Sequence, residues 1–251
     1  MEIEGLAAIV TGGGSGLGAA TVRRFARRGA KVTIVDRDPV AGQRLAEETG
    51  GIFVQADVCD EGEVGAAIMA GEAAHGVARI LVNCAGVSEL WPTVGEDGQP
   101  HSLAVFRRVI DINLVGTFNA LSQFAARLCT VGPIGEERGV IVNTSSIAAF
   151  EGIAGQAAYS ASKNAIVGMT LPIARDLASR HIRVMAIAPG SFLSPMVEAL
   201  PQDYKDALAA MVPHPSRLGA PDEFAAFVER VVATPMLNGT VIRLDGAARL
   251  G

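Results

Sequence analysis

Apolar, largely β-branched runs recur along the chain at LAAIVT (6–11), KVTIVD (31–36), GIFVQAD (51–57), RILVNCAG (79–86), GVIVNTSS (139–146), IRVMAIAPG (182–190) and TVIRLDG (240–246). They are continuous rather than alternating, which predicts strands buried on both faces, as in a parallel sheet. Helix-like stretches lie between most of them, at 17–29, 39–49, 60–75, 102–129, 157–180 and 221–233. Such alternation implies right-handed βαβ crossovers. The predicted fold is therefore α/β, a single domain over 1–251 with a doubly wound, seven-stranded parallel sheet and helices on both faces. Two Pro-containing segments, 87–101 (VSELWPTVGEDGQPH) and 191–220, interrupt the pattern and are the predicted ligand-covering loops, the second on the substrate side.

Composition narrows the picture without redirecting it. A chain of 251 residues with 49% hydrophobic content can bury one large core. Mean hydropathy is +0.33, yet the apolar residues come in short runs separated by glycine, which reads as core and not as membrane span. The first run, LAAIV, is too short to span, and Glu2 and Glu4 do not suit a targeting leader, so a cytoplasmic protein is expected. Lys and Arg total 21 against 26 acidic residues with no basic run, so nucleic acid is not an expected partner. Cys59, Cys84 and Cys129 are odd in number and dispersed, without a CxxC or Cys/His spacing, so neither a disulfide nor a metal site is predicted.

Chemistry concentrates where predicted strands end. TGGGSGLG (11–18) follows the first strand and opens the next helix, with Gly12, Gly16 and Gly18 at a Gly-x-x-x-Gly-x-Gly spacing. Glycines let the backbone approach a phosphate closely, and free amides at a helix N-terminus favour an anion such as a pyrophosphate. The motif alone leaves open a turn that binds nothing, or another nucleotide class such as a methyltransferase. Asp36, at the end of the second strand, narrows this, because a carboxylate there accepts the adenosine ribose hydroxyls of NAD and repels the 2'-phosphate of NADP. Arg37 beside it keeps tolerance of both cofactors open. Asp57 suits a hydrogen bond to an adenine amino group, next to the Val58 backbone, or is a turn former.

Residues 83–86, NCAG, give a small-residue turn after the fourth strand that can pass a cofactor or simply enter a loop. Asn113 interrupts a helix-like stretch, which marks either a polar task or a side chain satisfied by nearby backbone. Ser145 and Ser146 compete at the end of the fifth strand, on the sheet edge where open α/β folds bind ligands. Tyr159 and Lys163 are four apart on a predicted helix, which puts a phenol and an ammonium on one face. A cation beside a tyrosine favours the phenolate and brings it towards working pH for acid/base chemistry.

Taken in order, TGGGSGLG, Asp36, NCAG, Asn113, Ser146, YSASK and APG resemble the classical short-chain dehydrogenase/reductase family over the whole chain. That resemblance implies a Rossmann-like fold, with Tyr159 as acid/base and Lys163 binding the nicotinamide ribose and lowering the Tyr pKa. It also implies Ser146, rather than Ser145, orienting the substrate oxygen, and Asn113 holding a water in a proton relay. AAFEGIAGQAAYSASKNAIVGMTLPIARDL, IRVMAIAPG, PSRLGAP and LNGTVIRLDGA are similar, more narrowly, to the type 2 3-hydroxyacyl-CoA dehydrogenase group. The narrower likeness implies NAD as cofactor, an L-3-hydroxyacyl-CoA or another secondary alcohol such as a steroid as substrate, and a homotetramer. It places Ser15, Leu17, Val58, Cys84, Ala85, Gly86, Pro189, Gly190, Phe192 and Ser194 at cofactor-contacting positions. Ser194 departs from the family's usual Thr, and 191–212 matches only loosely, which weakens substrate identity most. None of His75, His101, His181 or His214 matches a catalytic position. A non-catalytic dinucleotide-binding scaffold is the alternative from another class.

Overall fold

The computed structural model describes residues 1–250, and Gly251 lies outside them. Its centre is a seven-stranded sheet in the order β3-β2-β1-β4-β5-β6-β7, every neighbouring pair parallel. The strands are β1 (Ala7–Thr11), β2 (Lys31–Asp36), β3 (Ile52–Gln55), β4 (Ile80–Asn83), β5 (Gly139–Thr144), β6 (Ile182–Pro189) and β7 (Val241–Leu244). Each coincides with a continuous apolar run, and β1 and β6 are buried along their full length. The chain winds outward from β1 to β3 and then returns to place β4 on the other side of β1. This reversal opens a crevice between the C-terminal ends of β1 and β4, where open α/β sheets bind ligands.

The sheet separates two apolar cores. On one face, α1 (Gly16–Arg27) and α9 (Pro221–Ala233) bring Val22, Phe25, Phe224 and Val228 against Val10, Ile34 and Ile187. On the other, α3 (Glu61–His75), α5 (Gly116–Leu128) and α6 (Ala157–Ala178) bring Ile68, Phe124 and Ala174 against Ile9, Leu81 and Ile141. Local signals set the helix ends. At α2 (Pro39–Thr49), the Asp38 carboxylate accepts from the Val40 and Ala41 amides, Pro39 occupies the first turn, and left-handed Gly50 stops the helix.

Two regions differ from the sequence-based expectation. The stretch 102–129 is not one continuous α-helix: α4 (Leu103–Ile110) passes through a π turn at Asp111–Val115 before α5 begins. The turn holds Asn113, as wide turns often accompany functional positions. Segment 191–220 contains α7 (Pro195–Glu198) and α8 (Gln202–Ala210), so it is less irregular than its prolines suggested. Pro195 stands at the start of α7 and Pro201 at the N-cap of α8, where a missing N–H costs nothing.

At the opposite end of the sheet, the start of β6 is fastened internally. Arg183 is buried and donates to the Glu137 carboxylate and to the carbonyl oxygens of Val231, Val232 and Leu237. Burial by itself would raise the Glu137 carboxyl, but Arg183 and the N-terminal amine hold it below the usual carboxylate range.

Candidate active site

The loop between β1 and α1 is shaped by close backbone approaches. A β-carbon on Gly12 would fall 2.5 Å from the Ala85 nitrogen, and one on Gly18 would fall 2.1 Å from the Gly12 carbonyl oxygen. Gly12 and Gly16 also have positive φ, +62° and +52°. Ser15 precedes α1 but its side chain does not cap it, which leaves the first amides of the helix for an anion. The Asp36 carboxylate reaches this loop from the end of β2, accepting from the Gly14 amide at 2.8 Å and from the Asp38 amide at 3.0 Å. Arg37 instead points towards Asp57, at 3.4 Å and exposed. The other Asp57 oxygen accepts from the Cys59 amide.

Across the crevice, the C-terminal ends of β4 and β5 meet α6. Lys163, buried, donates from Nζ to the Thr144 carbonyl oxygen at 2.9 Å and lies 5.7 Å from the centroid of the Tyr159 ring. A β-carbon on Gly86 would stand 3.4 Å from the same Nζ, so the turn after β4 passes directly over the ammonium. Ser146 caps a single 3-10 turn, Ile147–Ala149, by accepting from the Ala148 amide at 3.1 Å. The two serines separate cleanly. Ser145 is buried and donates to the Lys163 carbonyl oxygen at 2.8 Å, whereas Ser146 stays partly exposed beside Tyr159.

Electrostatics in this group are dominated by burial. Burial pushes the Tyr159 phenol up from its ordinary value, and the neighbouring Ser146 hydroxyl draws it partly back. Lys163 is lowered to about 8 by burial, with Cys84 opposing the shift. The Cys84 thiol is itself pushed up to about 11 by burial, against the Thr144 hydroxyl and the Lys163 ammonium. Lys163 is not among the groups that shift Tyr159: its ammonium donates to the Thr144 carbonyl oxygen, and desolvation dominates at the phenol.

Three other predicted residues sit differently from a simple contact picture. Asn113 is fully buried; its Oδ1 accepts from the Val87 amide at 2.8 Å, and its Nδ2 donates to Val87 O and Ser162 Oγ. Its side chain thus pins the turn after β4, with both Nδ2 hydrogens used and one Oδ1 lone pair left over. Phe192 is buried edge-on against Phe224, with ring centroids 6.4 Å apart, so only its backbone can face the crevice. Val58 is also buried, and its carbonyl oxygen accepts from Asn119. Ser194 and Pro195 do approach the glycine loop: a β-carbon on Gly16 would lie 3.4 Å from Pro195 Cδ and 3.6 Å from Ser194 Cβ. Leu17 packs at the edge of the core under this loop, and the Gly190 amide, after Pro189, donates to Leu244 O.

A polar row beneath the crevice went unread in the sequence. Thr11 donates to Asn83 at 3.0 Å and Asn83 donates to Asn143 at 2.9 Å, all three buried and in register across β1, β4 and β5. Asparagine is uncommon inside strands, so Asn83 and Asn143 ending apolar runs were the available signal. This row ties together the strand ends from which the crevice residues project, and it ends at Asn143 Nδ2, which is buried without a hydrogen-bond partner. Among the described residues there is no cluster of His, Cys, Asp and Glu that could hold a metal ion, and no helix is long and apolar enough to cross a membrane.

Comparison with known proteins agrees with the fold. The short chain dehydrogenase profile matches residues 6–205. The human 3-hydroxyacyl-CoA dehydrogenase type-2 is 48% identical over 99% of this chain and 97% of its own length. The Drosophila melanogaster protein of the same name is 47% identical over 99% of both. Ipsdienol dehydrogenase from Ips pini is 34% identical over 99% of both chains. Among solved structures, 3-hydroxyacyl-CoA dehydrogenase type-2 from Mycobacterium avium superposes with a TM-score of 0.94 at 41% identity, covering 98% of this chain and 97% of its own. With identity of that order spread over nearly the whole of each chain, the protein is an oxidoreductase working with a nicotinamide dinucleotide, and it belongs to the short chain dehydrogenase family.

Proposed function

We propose that this protein interconverts an L-3-hydroxyacyl-CoA and the matching 3-ketoacyl-CoA with NAD as cofactor. The observation that carries the cofactor choice is the Asp36 carboxylate seated against the Gly14 amide, which leaves a negative charge where NADP would carry its 2'-phosphate. Arg37, turned to Asp57, is not aimed at that position. The loop also fits a dinucleotide sterically, since Gly12 and Gly18 leave no room for side chains and the first amides of α1 are uncapped. Gly12, Ser15, Gly16, Leu17 and Gly18 would hold the pyrophosphate, and Asp36, Asp57 and the Val58 backbone the adenosine. Cys84, Ala85, Gly86, Pro189, Gly190, Ser194 and the Phe192 backbone would line the nicotinamide side with Lys163 and Tyr159. When bound, the nicotinamide takes up or supplies the hydride at the carbinol carbon.

The chain's own residues manage the proton. Tyr159 exchanges one with the substrate oxygen while the Ser146 hydroxyl holds that oxygen by a hydrogen bond. A phenol raised by burial is protonated at neutral pH, the form that donates to a ketone; oxidation requires its proton to leave first. Lys163, at about 8, remains largely cationic at neutral pH, suiting a ribose hydroxyl contact. Asn113 holds the turn after β4 in place beneath the nicotinamide side.

The acyl-CoA substrate is supported by the names of the most similar relatives and by the length of the match. Exposed Val115 and Phe118 near and on α5, and Leu171 on α6, are apolar faces suited to subunit contact, and a homotetramer is part of the proposal. The three cysteines are free, which suits a cytoplasmic setting. The test is reduction of acetoacetyl-CoA with NADH and, separately, NADPH, alongside a panel of free ketones and steroids. Saturable turnover favouring NADH is expected. Failure with acyl-CoA but success with a free ketone would move the substrate to the free secondary alcohols, and light scattering at the 25.9 kDa monomer mass would refute the tetramer.

A further inference from the structure

The turn that carries Ser146 is held from outside the catalytic group. Phe150 and Glu151 directly follow that turn, and Glu151 receives a two-pronged contact from Arg243 of β7, Nη1 to Oε1 at 2.8 Å and Nη2 to Oε2 at 3.2 Å. Arg243 also donates from Nε to Asp245 at 2.6 Å and from Nη2 to the Ala248 carbonyl oxygen at 3.0 Å. Its guanidinium lies 5.4 Å from the Phe150 ring centroid. Glu151 further accepts from the Leu250 amide at 3.3 Å. The planar fork of arginine is what lets one side chain hold a carboxylate, a carbonyl and an aromatic face together. Arg243 keeps the Glu151 carboxyl below its usual range, so the pair stays charged at working pH.

Beneath this network lies a small apolar cluster distinct from the two main cores. Ile147 from the Ser146 turn meets Val212 from the covering segment and Ala248 from the tail 245–250, with Leu250 packed alongside. Contact there is tight, since a β-carbon on Gly246 would fall 2.5 Å from Val212 Cγ1. Beside it, a cavity of about 240 Å³ separates the covering segment from the end of β7, with Ser191, Pro215 and Arg217 on one wall and Leu244 and Asp245 on the other. Val212 is thus a point where the segment bears on the tail next to open space.

We propose that Glu151 and Arg243 are positioning residues: their contact locks the Ser146 turn to the tail, and the tail carries the covering segment at Val212, so seating of substrate and placement of Ser146 are coupled. The inference rests on the reading of Ser146 and Tyr159 as the groups that meet the substrate oxygen. It gives a role to the chain beyond β7, which returns to the Ser146 turn at Ala248 and Leu250.

Three variants test it. Arg243→Lys keeps the charge and loses the fork, Glu151→Ala removes the acceptor, and Leu250→Ala weakens only the apolar leg. In each, turnover of acetoacetyl-CoA should fall by about 10- to 100-fold, the scale of a small misplacement at a reacting centre, while NADH binding followed by fluorescence stays at the wild-type value. The limb of the pH–rate profile set by Tyr159 should also move to higher pH, because the Ser146 contact that draws the phenol down is loosened. Lys163 on α6 and Cys84 at the end of β4 are the other titratable groups in this pocket, and none of the variants alters them. Unchanged turnover in Glu151→Ala overturns the proposal, as does a fall in turnover matched by loss of NADH binding and of melting temperature. Loss in Glu151→Ala without loss in Leu250→Ala overturns the coupling to the tail. Should Arg243→Lys not fold, the other two decide. A wild type inert towards acetoacetyl-CoA would refute the substrate reading alone, and the variants are then scored on whichever ketone it reduces.

Discussion

The floor of the crevice and its roof are built on opposite principles. In the floor, recognition is made by backbone with no slack: Gly12 and Gly18 touch neighbouring main chain so closely that not even a methyl group fits. The roof, 191–220, is anchored at Phe192 and Val212, while α8 buries none of its residues and Tyr204 on it is 66% exposed. Under the proposed function the contrast follows from what each would bind. A dinucleotide has one shape, so its site would gain from rigidity; an acyl group or ketone varies, so a covering segment would need a few fixed points and freedom between them.

The largest expected effect separates chemistry from binding inside the floor itself. Tyr159→Phe should reduce turnover by about 10² to 10⁴-fold while leaving NADH affinity at the wild-type level, read by steady-state kinetics and a fluorescence titration. Near-normal turnover would remove Tyr159 from its assigned role.

Next comes the rigidity of the floor. Gly18→Ala places a methyl against the Gly12 carbonyl, and backbone cannot yield as a side-chain tip can, so a loss of about 1–3 kcal/mol in urea unfolding is expected together with weaker NADH binding. Full retention of both would show that the floor is softer than its contacts imply.

A third test uses the buried ammonium. Lys163 titrates at about 8 in the folded protein against an ordinary 10.5. Between those values the unfolded chain binds more protons, so Lys163 contributes a gain in stability of about 1–2 kcal/mol from pH 8 to 10. The thiols of Cys84 and Cys59, raised to about 11, act in the opposite sense over the same range, as does the raised Tyr159 phenol at its upper end. The Lys163 contribution is therefore read as the difference in stability between wild type and Lys163→Met, which should move in favour of wild type by that amount across the range. The smallest effect belongs to the roof: Tyr204→Ala should change stability by no more than about 0.5 kcal/mol, and a larger loss would mean α8 is packed in solution.

Much of the floor was readable from sequence because its signals are local. The apolar runs fixed all seven strands, and Asp38, Pro39 and Gly50 mark α2 at both ends. What escaped depends on contacts distant in sequence. The π turn around Asn113 leaves no trace in a hydrophobic period, and the Thr11, Asn83 and Asn143 row exists only once β1, β4 and β5 are in register. Ser146 was separable from Ser145 by resemblance, but the physical reason, that Ser145 turns inward to Lys163 O, needs α6 in place. The pairing of Tyr159 and Lys163 on one face was legible. Its electrostatics were not, because desolvation depends on everything packed around the pair. In the roof, Pro195 and Pro201 read as breakers although each opens a helix.

Arg183 gives the sheet a preferred direction of breathing. It ties Glu137, Val231, Val232 and Leu237 at the N-terminal end of β6, so that end is expected to separate only when the whole protein does. In deuterium exchange, amides at the start of β6 should wait for global unfolding while those around Ser146 exchange through small local openings, so the protein can admit and release what it binds without risking its fold.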